Sequence, residues 1–347
     1  MSQPENFLLL KMDHIGDALW SFPAIRALRT AYPDARIDML CTPYLAEAFR
    51  QISEASQVIE YDTKVSLSRR WAVLQHLREQ EYDVAFVLGP VDKVNHLAFL
   101  SGARERIGYA YQGSLLRTLT RPLFLTRSFP HPADTAVRAG RPLPHEVPAM
   151  LDLLAKFGVP APENPSLFFP VSAVAREAAR TRLQKLLPGC RQFAVLHLCS
   201  KSFGHGWTAQ AFAVLADRLR RLDPPTGWVV TGGPAEEPQL PPYREALSAV
   251  GVPVLTGLNL NEMAALLSQS RLLVSWDTGV IHLADAVGTP VVDIFPAQSF
   301  AYCVQRWGPW GKTAAVVEQA GEVLAEPQIS AIVSPVTHFI DRGVVQS

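Results

Sequence analysis

The stretch RLLVSWDTGVIHLADAVGTPVVDIF (271–295) decides the fold. RLLVSW (271–276) is a short apolar run, GVIHLADAVG (279–288) has helical spacing, and PVVDIF (290–295) is a second apolar run. Run, helix and run make a βαβ unit, whose parallel strands are buried on both faces. Asp277 or Thr278 is expected to cap the helix, its side-chain oxygen taking a free backbone N–H. Gly279 removes a side chain where a ligand would approach. The remaining N–H groups and the helix dipole favour an anion, most simply a diphosphate. His282, about one turn in, is a further candidate donor. The plainer reading is an ordinary capped helix with His282 satisfied locally.

The same alternation extends outward. FAVLHL (193–198), GWVVTGG (227–233), FLLLKM (7–12), RIDMLC (36–41) and YDVAFVLG (82–89) read as strands. AREAARTRLQKLL (175–187), TAQAFAVLADRLRRL (208–222), NEMAALLSQS (261–270) and PYLAEAFRQI (43–52) read as helices. GDALWSFPAIRALRTAY (16–32) also reads as a helix, with Leu19, Phe22, Ile25 and Leu28 in step, while Pro23 argues for a kink or a late start. The Pro-rich stretch GVPAPENPSLFFP (158–170) is the expected linker. Residues 1–165 and 170–325 are therefore read as two doubly wound α/β domains. Residues 326–347 are read as a C-terminal helix that could pack across either domain.

Composition excludes several classes. With 48% hydrophobic and 18% charged residues, the chain has material for two cores and is not disordered. Lys+Arg and Asp+Glu are both 32, so a general polyanion binder is not expected, and nucleic acid is not an expected partner. Residues 100–141 are a local exception, with Arg104, Arg106, Arg117, Arg121, Arg127, Arg138 and Arg141 against Glu105 and Asp134. That stretch suits a phosphorylated or acidic acceptor or an anionic membrane surface; a solvated arginine-rich face is the plainer reading. Cys41, Cys190, Cys199 and Cys303 have no metal-ligand spacing. No leader or spanning segment is read, so the expectation is a cytoplasmic protein, with the inner face of the inner membrane as a peripheral site.

Three further segments place chemistry at strand ends. VLHLCSKSFGHGW (195–207) puts Ser200, Lys201 and His205 in a polar loop suited to oxygen-rich ligands. TGGPAEE (231–237) pairs close-approach glycines with Glu237, a candidate acceptor from a ribose diol. KMDHIGDALWSFPAIRAL (11–28) gathers Lys11, Asp13, His14 and Asp17 around Gly16, a dense group of titratable side chains. A capping role for Asp13 and a dipole role for Asp17 are the plainer alternatives there. Neither a GxGxxG nor a Walker loop is present.

IGDALWSFPAIRAL, VLHL with GW and FAVLADRL, VVTGGPAEE, and SWDTGVIHLADAVGTPVVDIF followed by WGPWG resemble glycosyltransferase family 9, the bacterial heptosyltransferases of lipopolysaccharide core assembly. The resemblance implies the GT-B fold, two Rossmann-like domains facing a central cleft. It implies a nucleotide-diphosphate sugar donor, commonly ADP-heptose, bound by the second domain. It implies a lipid-linked saccharide acceptor received by the first, and a C-terminal helix, 326–347 here, crossing back to the first domain; no cofactor is expected, and the arrangement of residues calls for no metal. Carried over by position, Asp17 is the general base of an inverting transfer. Asp277, Thr278, Gly279 and His282 hold the donor, Ser200 lies near the diphosphate, Glu237 near the ribose and Leu258 near the adenine. Lys11, Asp13 and His14 are candidates on the acceptor side. The family's Lys-x-Trp-Pro at the phosphate loop reads His205-Gly206-Trp207-Thr208 here, so Lys201 or His205 must supply the cation. A GT-B sugar-nucleotide epimerase and a non-catalytic nucleotide-sugar-binding protein are the alternatives.

Overall fold

The computed structural model describes residues 4–89, 92–110, 123–190, 192–311 and 313–341. Pro90, Arg117, Arg121 and residues 342–347 lie outside them. The chain divides into two units, 1–166 and 167–347, inside the Pro-rich 158–170 stretch.

In the first unit the strands are β1 (Asn6–Lys11), β2 (Arg36–Cys41), β3 (Gln57–Glu60), β4 (Val84–Val87), β5 (Glu105–Ala110) and β6 (Arg127–Pro130). The helices are α1 (Ile15–Ala31), α2 (Pro43–Phe49), α3 (Leu67–Glu79), α4 (Asp92–Leu100), α5 (Pro132–Arg138) and α6 (Glu146–Ala155). The second unit has strands β7 (Gln192–His197), β8 (Thr226–Thr231), β9 (Val254–Leu255), β10 (Leu273–Trp276), β11 (Val291–Pro296) and β12 (Ala314–Gln319). Its helices are α7 (Ala173–Leu186), α8 (Ser200–Gly204), α9 (Ala209–Leu222), α10 (Pro241–Ala249), α11 (Leu260–Leu267), α12 (Gly279–Ala286), α13 (Phe300–Trp307) and α14 (Glu326–Asp341).

Each unit is one parallel sheet. The first has the order β3-β2-β1-β4-β5-β6; the second, read from its far edge, has β9-β8-β7-β10-β11-β12. The two orders are the same topology, with a reversal of strand order between β1 and β4 and again between β7 and β10. In doubly wound sheets the loops leaving the strands part at that reversal and open a crevice for ligands. Four chain segments are thereby directed to two crevices: 12–17 after β1, 88–89 after β4, 198–207 after β7 and 277–279 after β10.

α1 forms because Leu19, Phe22, Ile25 and Leu28 recur on one face, and all four are fully buried. Pro23 does not delay or end it: the helix starts at Ile15 and runs through. A proline inside a helix removes one N–H donor, and burial of the surrounding stripe offsets that loss.

The described residues of the Arg-rich 100–141 stretch supply β5, β6 and α5. β6 lies at the sheet edge and is largely exposed, so its residues carry no apolar signal. α14 was expected to cross back to the first domain. Its Ile329, Ile332, Val333 and Val336 join Phe212, Leu215 and Leu219 of α9 in the core of the second unit. Each such aliphatic side chain contributes about 1.5–3 kcal/mol on burial.

Candidate functional site

At the β1/β4 reversal the strand end delivers Lys11, which is only 1% exposed. A buried ammonium is tolerated only with partners. Lys11 Nζ donates to Asp13 Oδ2 at 3.1 Å and to the Leu88 carbonyl at 2.7 Å. Asp13 Oδ1 also accepts the Met12 N–H at 3.0 Å. Gly89, after β4, makes room for this: a Cβ there would lie 2.8 Å from Asp13 Oδ2. Asp13 is thus held on both oxygens.

Asp17 is less constrained. It sits in the first turn of α1, half-buried, and Oδ2 accepts one long bond, 3.3 Å, from the N–H of His14, the exposed N-cap residue. Burial raises its pKa above the ordinary aspartate value; the Lys11 charge opposes that, the Asp13 charge adds to it, and the His14 N–H opposes it. A carboxylate that is raised and not ion-paired is a better proton acceptor than one locked to a lysine.

At the β7/β10 reversal Thr278 is the N-cap of α12, in extended backbone, but its hydroxyl makes no capping bond. Its Oγ1 has no hydrogen-bond partner among the described residues. The side-chain cap expected from the sequence is therefore not made. Ile281 N–H is taken by the Thr278 carbonyl at 3.0 Å, and the helix itself offers no acceptor to the N–H groups of Gly279 and Val280.

The reason Asp277 does not cap is Lys201. Lys201 Nζ, at the start of α8, donates to the Asp277 carbonyl and to Asp277 Oδ2, the latter at 2.8 Å. Asp277 Oδ1 lies 3.9 Å from Nε2 of His282, which is buried on α12. His282 is directed at Asp277 and does not face outward as a separate donor. An ammonium has three donors, and Asp277 engages two. Lys201 is about half exposed, so one donor remains for a ligand.

His205, the C-cap of α8, lies flat on the Trp276 indole, with centroids 4.4 Å apart and planes 13° apart. Gly206 turns the chain there at φ +65°, where a Cβ would meet the Glu322 carbonyl at 2.3 Å. Ser200 donates its N–H (2.9 Å) and its hydroxyl to Glu236 Oε1. Glu236 is 8% exposed, whereas Glu237, the acid singled out from the sequence, is exposed and paired with Arg244 at 2.8 Å. Leu258 is half-buried in the loop after β9, two strands from the reversal.

Residues 70–331, more than half of the chain, match glycosyltransferase family 9 (heptosyltransferase). The chain belongs to this family. Lipopolysaccharide heptosyltransferase 3 of Escherichia coli is 25% identical over 306 residues, 85% of this chain and 83% of that protein. The solved glycosyl transferase family 9 protein from Veillonella parvula DSM 2008 aligns with a TM-score of 0.78 at 20% identity, covering 96% of this chain and 97% of that one. E. coli heptosyltransferase WaaC with ADP aligns with a TM-score of 0.73 at 20% identity, covering 96% and 99%. The fold is GT-B, and as a family 9 member the chain is a glycosyltransferase, which sets aside the epimerase and the binding-protein alternatives.

Two residues of this family 9 chain escaped sequence reasoning. Glu236 could not be told from Glu237; the turn decides, because a Cβ on Gly233 would come within 2.8 Å of Glu236 Oε2. Asp293 was passed over inside PVVDIF, although a lone acid in an apolar strand is itself a signal. It pairs in register with Ser275, is 0% exposed, and no side chain hydrogen-bonds to it among the described residues. Burial, and then the Asp277 charge, push its pKa well above the ordinary range. With the folded value above the unfolded one, Asp293 favours folding fully only in acid, and that contribution is lost as pH rises through the folded value. His197, also buried, bonds Thr231 Oγ1 at 2.9 Å, and burial lowers it to about 4, so it is neutral at pH 7. In the WGPWG segment, Asp285 accepts the N–H groups of Trp310 (2.8 Å) and Gly311 (2.7 Å), tying that loop to α12.

Proposed function

We propose that this glycosyltransferase transfers a heptose, with inversion, from ADP-heptose to a saccharide of the lipopolysaccharide core at the cytoplasmic face of the inner membrane. Family membership and relatives named as lipopolysaccharide heptosyltransferases support the sugar and the acceptor class. The observation that carries the donor half is the uncapped start of α12 at a strand-order reversal, with Lys201 standing over it. Free N–H groups, the helix dipole and an ammonium with a spare donor form an anion site.

In the proposed reaction an acceptor hydroxyl attacks the anomeric carbon of the donor sugar. The hydroxyl proton goes to Asp17. The bond from the anomeric carbon to the diphosphate oxygen breaks, and its electron pair leaves on that oxygen. The growing charge is met by the N–H groups of Gly279 and Val280, the Thr278 hydroxyl and Lys201. Glu236, with Ser200, is the candidate acceptor for ribose hydroxyls in the role first given to Glu237. Asp13 and Lys11 form a fixed pair that sets the field around Asp17.

Calorimetric titration tests the donor half. ADP should bind, UDP more weakly, and AMP weaker than ADP by about tenfold or more, the equivalent of about 1.4 kcal/mol for the lost phosphate. Equal affinity for ADP and AMP would remove the diphosphate from the α12 terminus.

A further inference from the structure

Asp38 and Asp293 are both fully buried in strands, but only one of them has its charge met. Asp38, on β2, accepts the Tyr82 hydroxyl at 2.7 Å and pairs with Arg36 at 2.8 Å. Asp293, on β11, has no side chain hydrogen-bonded to it among the described residues. Its neighbour in register is Ser275, whose hydroxyl goes to the Trp276 carbonyl at 2.9 Å. A buried carboxyl without a partner keeps its proton, because burial penalises the charged form far more than the neutral one.

Position ties Asp293 to the donor site. The N–H of Asp277 donates to the Ile294 carbonyl at 3.0 Å, so the turn that starts α12 is fixed to the residue next to Asp293. Side chains alternate along a strand: Val292 and Ile294 enter the core that α14 helps to build, and Asp293 turns to the opposite face. The ionisable groups on the elements packed against β11 are Asp277 at the end of β10, His282 and Asp285 on α12, Arg306 on α13, Glu318 on β12, and Glu326, His338 and Asp341 on α14. Asp285 is engaged by the Trp310 and Gly311 N–H groups, and Arg306 donates to the Tyr302 hydroxyl at 2.7 Å. Glu318, Glu326, His338 and Asp341 are exposed. His282 is buried, with Nε2 3.9 Å from Asp277 Oδ1. Burial does most to hold the proton on Asp293, and the Asp277 charge adds to it; the Lys201 charge and the Ile294 N–H act against them.

Asp277 and Asp293 thus lie in the field of one ammonium, and a diphosphate would be a third anion there. With Asp293 protonated, Lys201 keeps a donor for the ligand. With Asp293 ionised, a second carboxylate draws on Lys201 and repels the ligand. We infer that Asp293 is a positioning residue of the donor site, a carboxyl that must carry its proton for a diphosphate to bind at Lys201 and the start of α12, so that at alkaline pH donor binding takes up a proton. That proton comes from solvent and goes to one carboxylate oxygen of Asp293. The inference rests on the donor half of the proposed function.

The test is calorimetric titration of ADP into the full chain at about pH 7.5 and about pH 9, where lysine is still largely charged. The wild type is compared with Asp293→Asn, whose amide keeps the shape of the neutral carboxyl and cannot ionise. At the lower pH the two should bind within about threefold of each other. At the higher pH the wild type should have lost about tenfold more affinity than Asp293→Asn, within the usual range of coupling between two sites. Titrations at the higher pH in two buffers of different ionisation enthalpy should show proton uptake by the wild type that the variant lacks. Titration of Lys201 and of the nucleotide is common to both proteins, and a packing defect would weaken the variant at both pH values alike. If Asp293→Asn melts below the wild type, Asp293→Ser carries the comparison. The same pH profile and the same proton uptake in wild type and variant would overturn the inference and leave the donor site standing. A wild type that binds no ADP at either pH would overturn the donor reading, and this inference with it.

Discussion

Asp17→Ala should lower transfer about 10²–10⁴-fold, the usual contribution of a positioned general base, and leave ADP affinity within about twofold. The separation follows from topology: Asp17 sits at the β1/β4 reversal, and the proposed donor site is built from α8 and the start of α12 in the other unit. Asp17→Asn is the closer control, because its amide oxygen still accepts the His14 N–H. Burial raises the Asp17 pKa in the fold, so the ionised carboxylate opposes folding, and its removal should not destabilise the protein at neutral pH. The same direction places the acid limb of kcat/KM, read from its pH profile, above the ordinary aspartate value. Asp13→Ala should behave differently. It strips the buried Lys11 ammonium of its carboxylate, which costs about 3–5 kcal/mol, and the melting temperature should fall with the activity. Parallel thermal melts and transfer rates therefore tell the two acids apart. Wild-type transfer by Asp17→Ala would remove it from the base role.

Lys201→Ala should weaken ADP binding about 10–100-fold, the equivalent of about 1.5–3 kcal/mol for a charge-assisted hydrogen bond. Two effects act in the same direction: the spare donor disappears, and Asp277 loses the cation that masks it from an incoming diphosphate. His205→Ala should change ADP affinity less than about threefold, because the ring is occupied by Trp276 and is not bonded to Asp277 or Lys201. Calorimetry on the two variants decides which residue stands in for the missing phosphate-loop lysine. Undiminished affinity in Lys201→Ala with a large loss in His205→Ala would reverse the assignment.

How legible the site was depended on whether its chemistry is local. β1, β7, β8, β10 and β11 were readable as strands because both faces of a central parallel strand are buried and the run is apolar throughout. β5, β6 and β12 alternate with exposed or arginine-bearing positions and left no such run. α8 is one short turn within a polar segment, below the length at which helical spacing can be seen. Asp17 and the Asp277-Thr278-Gly279 turn were visible because a strand, a turn and a helix lie consecutively in the chain. The Lys201–Asp277 pair was not: it spans 76 residues and exists because β7 pairs with β10, an adjacency that strand order along the chain does not state. The choice of Glu236 over Glu237 depends on how the 231–237 turn closes over Gly233. The Asp13–Gly89 contact depends on β4 lying beside β1.

The most direct measurement of the proposed transfer is the fate of ADP-heptose in the presence and absence of a lipopolysaccharide inner-core acceptor, followed by nuclear magnetic resonance of the anomeric proton. The account predicts ADP and glycosylated acceptor in equal amounts, a product anomer opposite to that of the donor, and no change in the donor when acceptor is left out. A product that keeps the donor's configuration, or an altered nucleotide sugar formed without acceptor, would contradict it.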